Sequence, residues 1–522
     1  MLLSYLLITL IVLFGHSEDF LGTTLLSRPL VLGPLVGLAL GDLHQGILIG
    51  ATLELIFMGN IKVGAAIPPD VITGGVLGTA FAILSGKGPA IALALAIPIS
   101  ILAEMLLSAL FVARSAFNKQ FMQYAEEGDY RKLQRLHILS GLLKPLSMAL
   151  IAFLSLQLGA GAMKSLLDLI PAWVNSGLQV AGNMLPALGF ALLMNLMFRK
   201  GVVPWFFLGF LLAAFLKLPV IAIGGLGVII AFLVTGGRPG ETAIDDEPEP
   251  EAPEGKGRLT NRDLRYLFLR SMFLEANFNF ETWQNTGFAF AIIPVLKKLY
   301  TTKASMSLAL KRHLQFFNTS TYGSTFIIGI AAAMEEQNSR DSDFDPDSIN
   351  SVKLGLMGPL AGVFDSLFWG TLKVIAAGVG TSLALKGYIS GAVLFILIFN
   401  VPHLLLRYRL TFIGYRAGTR FMQRLAKNNV MDKLTYGASI VGLMVVGAMP
   451  VTLMSIHTPL IIGTGGSGVA LQGILDAIIP GIIPLAITFG VYYFIKKEVR
   501  TTWLLLGLLV LGLAGSSLHI FA

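Results

Sequence analysis

The stretch from Gly33 to Asp70 is an apolar run that glycines and prolines interrupt and that still carries three carboxylates. A carboxylate at membrane depth is costly unless it faces a partner or a water-filled cavity. Non-helical backbone at that depth is tolerated only where protein or water covers it. The stretch therefore predicts a polar path through a membrane, and its carboxylates are Asp42, Glu54 and Asp70.

The composition is that of a polytopic membrane protein. Hydrophobic residues fill 55% of the 522 positions and charged residues only 13%, which is too apolar for soluble domains of this length. Lysines and arginines cluster beside apolar segments, which favours positive-inside loops over nucleic-acid binding. The absence of cysteine excludes disulfides and cysteine nucleophiles. Membrane spans of roughly 20 residues are predicted at 1–14, 90–112, 139–158, 184–198, 205–234, 383–406, 438–454, 474–494 and 503–521.

Residues 236–257 are rich in Pro, Glu and Asp and offer no apolar positions that a core could bury. Such a composition predicts a flexible acidic linker. It separates residues 1–235, which are almost entirely membrane-like, from residues 258–522, which open with a long amphipathic stretch over 259–317. We therefore predict two domains joined by this linker.

The two halves are related in sequence. GPLVG in the first half recurs as GPLAG in the second, and each motif is followed by an aspartate, Asp42 or Asp365. Further along, Glu54 is echoed by Lys373 in matching local sequence. Such recurrence indicates duplication, and paired repeats place a transport site at their interface, in broken helices. We predict an all-α polytopic membrane protein of two related helical halves, with broken or re-entrant segments and inverted pseudo-symmetry, and with the site at the repeated motif.

A second candidate region, residues 269–300, mixes amides and carboxylates with aromatic rings. Sugar hydroxyls bond to amides and carboxylates while the apolar ring face stacks on aromatic side chains. At helical spacing Asn277, Glu281 and Gln284 fall on one face, which favours a site. The alternative is an interfacial amphipathic helix whose polar face is merely wet.

Simpler structural roles compete for several of these residues. Glu54 could form an ion pair with Lys62 or Lys373 that only fixes a hairpin, and Asp365 could be a helix N-cap. His313 stands in a basic, aromatic stretch, where a lone histidine is usually a surface or capping residue.

Two motif matches are rejected. GTGGSG at 463–468 fits a dinucleotide pattern but has no βαβ context. The aspartates from 341 to 347 resemble a calcium loop, yet Pro346 and Val352 occupy the positions that need glycine and glutamate, so a solvated acidic loop is predicted. The chain shows no P-loop, H-E-x-x-H or G-x-S-x-G, and we expect no cofactor and no metal site.

The motifs resemble one family. GPLVG, LGDLHQGILIGATLEL and GAAIPPD are similar to the IIC subunit of the mannose-family bacterial phosphotransferase systems. LRSMFLEANFNFETWQNTGFAFAIIPVLKKLY, RHLQFFNT, AAAMEEQ and KLGLMGPLAGVFDSLFWGTLK are similar to the IID subunit. The resemblance implies an all-helical pair in the bacterial cytoplasmic membrane, commonly assembled as a homotrimer. It also implies import of a sugar that a soluble IIB subunit, charged through IIA, phosphorylates.

The resemblance also assigns residues. Glu275 stands where glutamine is common, and an extra carboxylate near the sugar favours an amino sugar or another polar substrate over plain mannose. The positions that match polar positions of the family's motifs are the candidates for sugar contact: Glu54, Asp70, Asn279, Glu281, Gln284 and Asp365.

No catalytic residue is assigned, because no IIA or IIB domain is fused in this sequence and phosphorylation needs the partner. Phosphoryl transfer depends on positioning and cations, which a basic docking surface can supply, although the same charges are explained by positive-inside topology. An ion-coupled secondary transporter, driven by protons or sodium, is the alternative function, since membrane carboxylates and broken helices mark it too. The candidate docking cations are Arg262, Arg265, Lys297, Lys298 and Arg312.

Overall fold

The computed structural model describes most of the chain. The predicted linker at 236–257, the predicted hairpin around Gly59 and Gly64, and Lys62 lie outside the described residues. The described residues are 2–57, 69–86, 89–168, 186–198, 201–218, 220–235, 259–425, 430–454, 456–462, 468–499 and 501–521, together with residues 173, 177, 180, 181, 183 and 184.

The described part of the first half is helical. Helix ends follow the expected chemistry: the Asp70 side chain caps α4, and Gly41 and Gly86 close α2 and α4 in the left-handed conformation. The elements are α1 (Leu2–His16), a 3₁₀ turn (Ser17–Phe20), α2 (Pro29–Leu40), α3 (Leu43–Phe57), α4 (Val71–Ser85), α5 (Pro89–Ser115), α6 (Asn118–Glu126), α7 (Tyr130–Asp168, broken at Gly159), α8 (Pro186–Met197), α9 (Val203–Ala214) and α10 (Val220–Val234).

The second half is also helical. Thr260 and Asp263 form a reciprocal capping box at the start of its first helix. The elements are α11 (Asn261–Ser271), α12 (Asn285–Leu299), α13 (Lys303–His313), α14 (Ser324–Asn338), α15 (Asp347–Asp365), a π-helical turn (Ser366–Leu372), α16 (Lys373–Ala384), α17 (Ser390–Leu425), α18 (Val430–Leu453), the short strands β1 (Ile461–Ile462) and β2 (Val469–Ala470), α19 (Leu471–Ile478), α20 (Ile482–Lys496) and α21 (Thr501–Ser517).

Several of these helices can cross a membrane, which confirms the predicted all-α membrane fold. Within the described residues four helices are long and apolar enough to span, and a bent pair raises the number to five. Outward-facing leucines on α7, such as Leu139 and Leu150, are more than half exposed and recur at helical spacing, as expected of a face toward lipid. The four long spans are Leu2–Phe20, Pro98–Glu126, Tyr130–Gly159 and Ser390–Gly418.

Three predicted spans are wrong as single helices. The span at 383–406 crosses the turn between α16 and α17, where Gly387 has a φ of 84°. The span at 205–234 is divided into α9 and α10, because Lys217 turns the chain with a φ of 51° and Leu218 precedes a proline. The span at 474–494 is the pair α19 and α20, bent by 77°. Gly481, with a φ of 75°, provides the left-handed residue at that break.

The two halves interlock through their last helices. Helices α9 and α10 of the first half pack on α18 of the second, and α8 packs on α20. The α9–α18 contact is so close that a Cβ on Gly209 would lie 1.9 Å from the Met444 carbonyl, and one on Gly447 would lie 1.9 Å from the Phe206 carbonyl. Small residues allow such backbone approach between membrane helices.

The repeated motif has a packing role. A Cβ on Gly33 would lie 2.6 Å from Gly50, and one on Gly37 would lie 2.8 Å from Gly46, so GPLVG brings α2 directly against α3. In the second copy, a Cβ on Gly358 would lie 3.7 Å from the Cα of Gly442 in α18. Both motifs pack helices, and the inverted pseudo-symmetry of the halves stays a prediction.

Candidate functional site

A cavity of about 100 Å³ lies between the two halves. Its walls come from the loop after α1, the starts of α2 and α4, and helices α5 and α7 of the first half. The second half contributes the loop after α11 and the π-helical turn. The residues that line it are Glu18, Asp19, Thr23, Leu25, Ser27, Arg28, Pro69, Asp70, Val71, Ile72, Leu107, Phe111, Lys144, Glu275 and Trp369.

The first wall is the loop over residues 17–28, which we call the first loop. Its backbone turns sharply, with a positive φ at Gly22, Thr23 and Leu25, and such a conformation is strained for the two residues that carry a Cβ. Irregular backbone in a membrane protein needs cover from protein or water. Asn400 of α17 supplies part of that cover, because its amide donates to the Thr24 carbonyl at 2.8 Å.

Two ion pairs neutralise charges of the first loop. The Lys144 ammonium lies 2.7 Å from the Asp19 carboxylate. The Arg28 guanidinium donates through Nε and Nη2 to Glu54 at distances of 2.8 to 3.1 Å, and also to the Phe57 carbonyl at 2.8 Å. Glu54 is fully buried and pairs with Arg28. Lys62 lies outside the described residues, and the predicted pairing with Lys373, which is close enough to attract Glu54 electrostatically, stays a prediction.

Asp70 lines the cavity directly, at the N-terminus of α4. Its carboxylate accepts from the backbone of Ile72 at 3.3 Å and of Thr73 at 3.0 Å, and it lies 3.4 Å from the His16 ring. Of the six residues proposed from the sequence, Asp70 alone is among the described lining residues. Glu54 does not line the cavity but pairs with Arg28, which does.

The second wall belongs to the loop over residues 272–284, which we call the second loop. It consists of turns between α11 and α12, so the predicted helical face of Asn277, Glu281 and Gln284 is wrong. The Asn279 side chain accepts from the backbone of Glu281 at 3.1 Å and of Thr282 at 2.9 Å. Asparagine side chains that bond the following backbone favour turns over helices.

The polar residues of the second loop are tied to both halves. Asn118 of α6 donates to Asn279 at 3.2 Å and to Glu281 at 2.8 Å. The Gln284 amide exchanges two hydrogen bonds of 3.0 Å with the backbone of Thr319. These side chains therefore hold the loop in place beside the cavity rather than lining it.

Glu275 is the carboxylate that the second loop contributes to the cavity. It accepts hydrogen bonds from the Thr321 hydroxyl and from the Gln284 amide, the latter at 3.5 Å. Asp365 is close enough to Glu275 for electrostatic repulsion. It continues from α15 into the π-helical turn without a side-chain capping bond, so the N-cap alternative is wrong.

Two buried arginines cross between the halves and hold these loops. Arg407 of α17 donates to the Gly22 carbonyl at 3.1 Å and to the Ser271 carbonyl at 2.7 Å. Arg114 of α5 donates to the Gly141 carbonyl at 2.7 Å and to the Phe278 carbonyl at 3.4 Å. Each loop is therefore fixed by an arginine of the opposite half.

A second charged cluster lies outside the candidate spans. His313, predicted at a surface or cap, is buried and bonds Glu335 at 2.8 Å, and Arg312 also pairs with Glu335 at 2.8 Å. Burial alone raises the pKa of the Glu335 carboxyl, but the bonds from His313 and Arg312 outweigh burial and lower that pKa to about 2. Burial lowers the pKa of His313 to about 4. This cluster joins α13 to α14.

Charged residues surround that cluster, and we call the surface that they form the polar face. They are Arg262, Asp263, Lys297, Lys298 and Lys311. Lys298 pairs with Asp263 at 2.7 Å, and Lys311 of α13 lies 3.6 Å from Glu126 of α6. Arg262 and Lys297 are exposed there, whereas Arg312 is committed to the buried pair with Glu335. In the part of the chain that the structure describes, no group of three His, Asp or Glu side chains is placed to hold a metal.

The cavity residues that the sequence analysis missed are Glu18, Asp19, Arg28 and Lys144. Three of them stand in a short charged stretch between two apolar runs, and Lys144 interrupts the apolar run 139–158. Charges in such positions are the signal of an intramembrane polar site. Together with Trp369 and Phe111 they form the mixture of polar groups and aromatic rings that suits a polyhydroxylated ligand.

Comparison with known proteins identifies the family. Residues 258–521 match the model of the mannose/fructose/sorbose family IID component, and residues 2–233 match that of the sorbose-specific IIC component. The mannose-specific EIID component of Escherichia coli K12 is 38% identical over 265 residues, which cover 49% of this chain and 93% of that protein. The sorbose-specific EIIC component of Klebsiella pneumoniae is 35% identical over 207 residues, which cover 40% of this chain and 78% of that protein.

A solved structure is also similar. The cryo-EM structure of the mannose transporter ManYZ with microcin E492 matches with 36% identity and a TM-score of 0.49, over 51% of this chain and 99% of that chain. The two family models and the two curated relatives agree on the IIC and IID components. The chain therefore belongs to the mannose/fructose/sorbose family of phosphotransferase-system sugar permeases, membrane proteins whose IIC and IID components it carries in one polypeptide.

Proposed function

We propose that this chain imports a hexose or amino sugar, with mannose, glucose and N-acetylgalactosamine as examples, and that a phosphorylated IIB partner phosphorylates it on arrival. The observation that carries the proposal is the cavity between the halves, which has polar walls from both. Carboxylates, hydroxyls and cations there bind sugar hydroxyls, and Trp369 and Phe111 supply apolar surface for the ring.

The proposal assigns a part to each region. Residues 1–235 act as the IIC-like domain and residues 258–522 as the IID-like domain, and the linker at 236–257 keeps them together in a homotrimer. Asp70 contacts the sugar from the wall, while Glu54 acts by holding Arg28 there. Asn279, Glu281 and Gln284 act by holding the second loop against the cavity, and Asp365 acts through its electrostatic contact with Glu275.

The IIB partner, charged through IIA, docks in this proposal on the polar face at the cytoplasmic side. Arg262, Arg265 and Lys297 are exposed there and available to an acidic or phosphorylated partner. Cations near a phosphoryl group stabilise the charge that spreads over it during transfer. The chain itself supplies the sugar and its orientation, and the partner supplies the phosphoryl group.

Uptake by proteoliposomes tests this function. The purified full chain should accumulate labelled mannose, recovered as sugar phosphate, only when phosphoenolpyruvate and the soluble phosphotransfer proteins are added. Accumulation of free sugar that an ionophore collapses would overturn the proposal in favour of ion-coupled transport. Uptake that depends neither on the phosphotransfer components nor on the ionophore would contradict both phosphorylation-coupled and ion-coupled transport.

A further inference from the structure

Glu275 differs from the other cavity carboxylates in what it contacts. Asp19 receives the Lys144 ammonium at 2.7 Å, and Asp70 lies 3.4 Å from the His16 ring. Among the described residues, no lysine, arginine or histidine makes an ion pair with Glu275. The second loop therefore presents to the cavity a carboxylate that lacks a cation of its own.

The neutral contacts of Glu275 fix its position without neutralising it. The Thr321 hydroxyl donates to one carboxylate oxygen, and the Gln284 amide approaches the same oxygen at 3.5 Å. Gln284 is itself fixed by its paired bonds to Thr319. One carboxylate oxygen is thus held by the protein, and the other has no bonding partner among the described residues.

The basic side chains around the cavity do not compensate for this charge by contact, because Lys144 pairs with Asp19 and Arg28 pairs with Glu54. Arg407 attracts Glu275 electrostatically, but its guanidinium donates to the carbonyls of Gly22 and Ser271. Asp365 is also close enough to repel Glu275 electrostatically. Glu275 is partly buried, and a partly buried carboxylate without a paired cation is unfavourable, so a ligand that brings a cation gains by binding to it.

We propose that Glu275 is an ammonium-binding subsite of the cavity and that the transported sugar is an amino sugar whose amine is free and protonated. This inference rests on the proposed sugar-import function. The sugar ammonium donates to the open oxygen of Glu275, and the ring hydroxyls bond the remaining polar wall. A charge-assisted hydrogen bond of this kind is stronger than the bond a neutral hydroxyl makes, and it corresponds to roughly a ten- to hundred-fold gain in affinity.

Calorimetry on the full chain, purified and monodisperse in detergent, tests the subsite with three sugars of one stereochemistry. The probes are mannose, mannosamine and N-acetylmannosamine, at a pH low enough to protonate the free amine. Mannosamine should bind at least ten-fold more tightly than mannose. N-acetylmannosamine should lose the advantage, because acetylation removes the charge.

The substitution Glu275→Gln preserves the shape and the bond from Thr321 but removes the charge. It should bring mannosamine and mannose to equal affinity within about two-fold, whatever the absolute affinity for mannose. Glu275→Asp, which keeps the charge, should restore a preference for the amine. Glu127→Gln, at an exposed carboxylate away from the cavity, is the matched control and should change neither affinity.

The outcomes separate this inference from the function on which it rests. If mannose binds and mannosamine binds no better to the unaltered chain, the ammonium subsite is wrong and the sugar permease stands. An amine preference that survives Glu275→Gln also overturns the subsite. If none of the three sugars binds, the proposed hexose or amino-sugar substrate fails. If Glu275→Gln does not remain monodisperse, the comparison of the three sugars on the unaltered chain decides.

Discussion

The first and second loops line the same cavity. Both have irregular backbone, but they differ in whether their charged side chains are paired. Both leave helical conformation, and each is held by an arginine of the opposite half, Arg407 for the first and Arg114 for the second. In the first loop Asp19 and Arg28 have oppositely charged partners within the protein. In the second loop the Glu275 carboxylate bonds, among the described residues, a hydroxyl and an amide but no cation.

The difference indicates that the charges of the first loop stabilise the fold and that Glu275 serves to bind a ligand. A buried charge with a permanent counter-ion contributes to the fold, and its removal exposes the cost of the partner left behind. A charge that lacks one is retained for another reason, most simply for a ligand. Substitutions in the first loop should therefore change stability most, and substitutions of Glu275 should change ligand preference most.

The largest effect is expected from Arg28→Met in the first loop. The substitution leaves the fully buried Glu54 without its cation and should lower the free energy of unfolding by about 3–5 kcal/mol. The double substitution Arg28→Met with Glu54→Met should recover much of that loss, since apolar residues can replace a buried pair. Thermal unfolding in detergent measures both, and Arg135→Met, at an exposed arginine, is the control. Equal stability of Arg28→Met and the unaltered chain would refute the structural role of the first loop.

A smaller effect is expected from Arg407→Met, which removes its bonds to Gly22 and Ser271 but leaves the bond from Asn400 to the first loop. The loss should be about 2–3 kcal/mol, because hydrogen bonds to charged groups are worth about 1.5–3 kcal/mol each and the site relaxes in part. Arg409→Met, an exposed neighbour on the same helix, should have no effect.

The same variant can be examined with the linker cut at a protease site inserted after Pro239. The cut halves should still migrate together on a sizing column, because α8, α9 and α10 remain packed on the second half. Arg407→Met should weaken that association without abolishing it. Separation of the cut halves of the unaltered chain in mild detergent would contradict the interlocked fold.

The smallest effect is expected in labelling. Leu107→Cys places a thiol at the cavity wall of a chain that has no cysteine. If the site alternates between two faces, an impermeant thiol reagent should label it from one side of the membrane at a time, and sugar should change that ratio a few-fold. Leu139→Cys, on the lipid-facing side of α7, should not respond to sugar. Labelling of Leu107→Cys from both faces at once, unaffected by sugar, would favour a pore.

The sequence predicted the architecture well because hydropathy and composition are local properties. The apolar segments and the IIC and IID resemblance are confirmed, and Asp70 lies where a polar path was expected. The predicted span boundaries are wrong where a single residue with a positive φ breaks the helix, as at Gly481 and Lys217. The helical face around Asn279 failed because its side chain bonds the following backbone and favours turns.

Partners were harder to predict than elements. Lys144 meets Asp19 across 125 positions, and Arg28 meets Glu54 across 26, so neither pair can be recognised from neighbouring residues. Glu275 was noticed as an unusual carboxylate, but its lack of a cation depends on where Arg407 points. Which charges pair depends on the packed structure, and it cannot be predicted from one sequence alone.

The close packing of α9 on α18 has a consequence for synthesis. Gly209 and Gly447 leave no room for side chains between these helices, yet α18 follows α9 along the chain by most of the second half. Helix α9 is therefore synthesised well before the partner that covers its glycine surface in the folded protein. A polypeptide that carries both halves ensures that this partner arrives beside the same helix, in equal number.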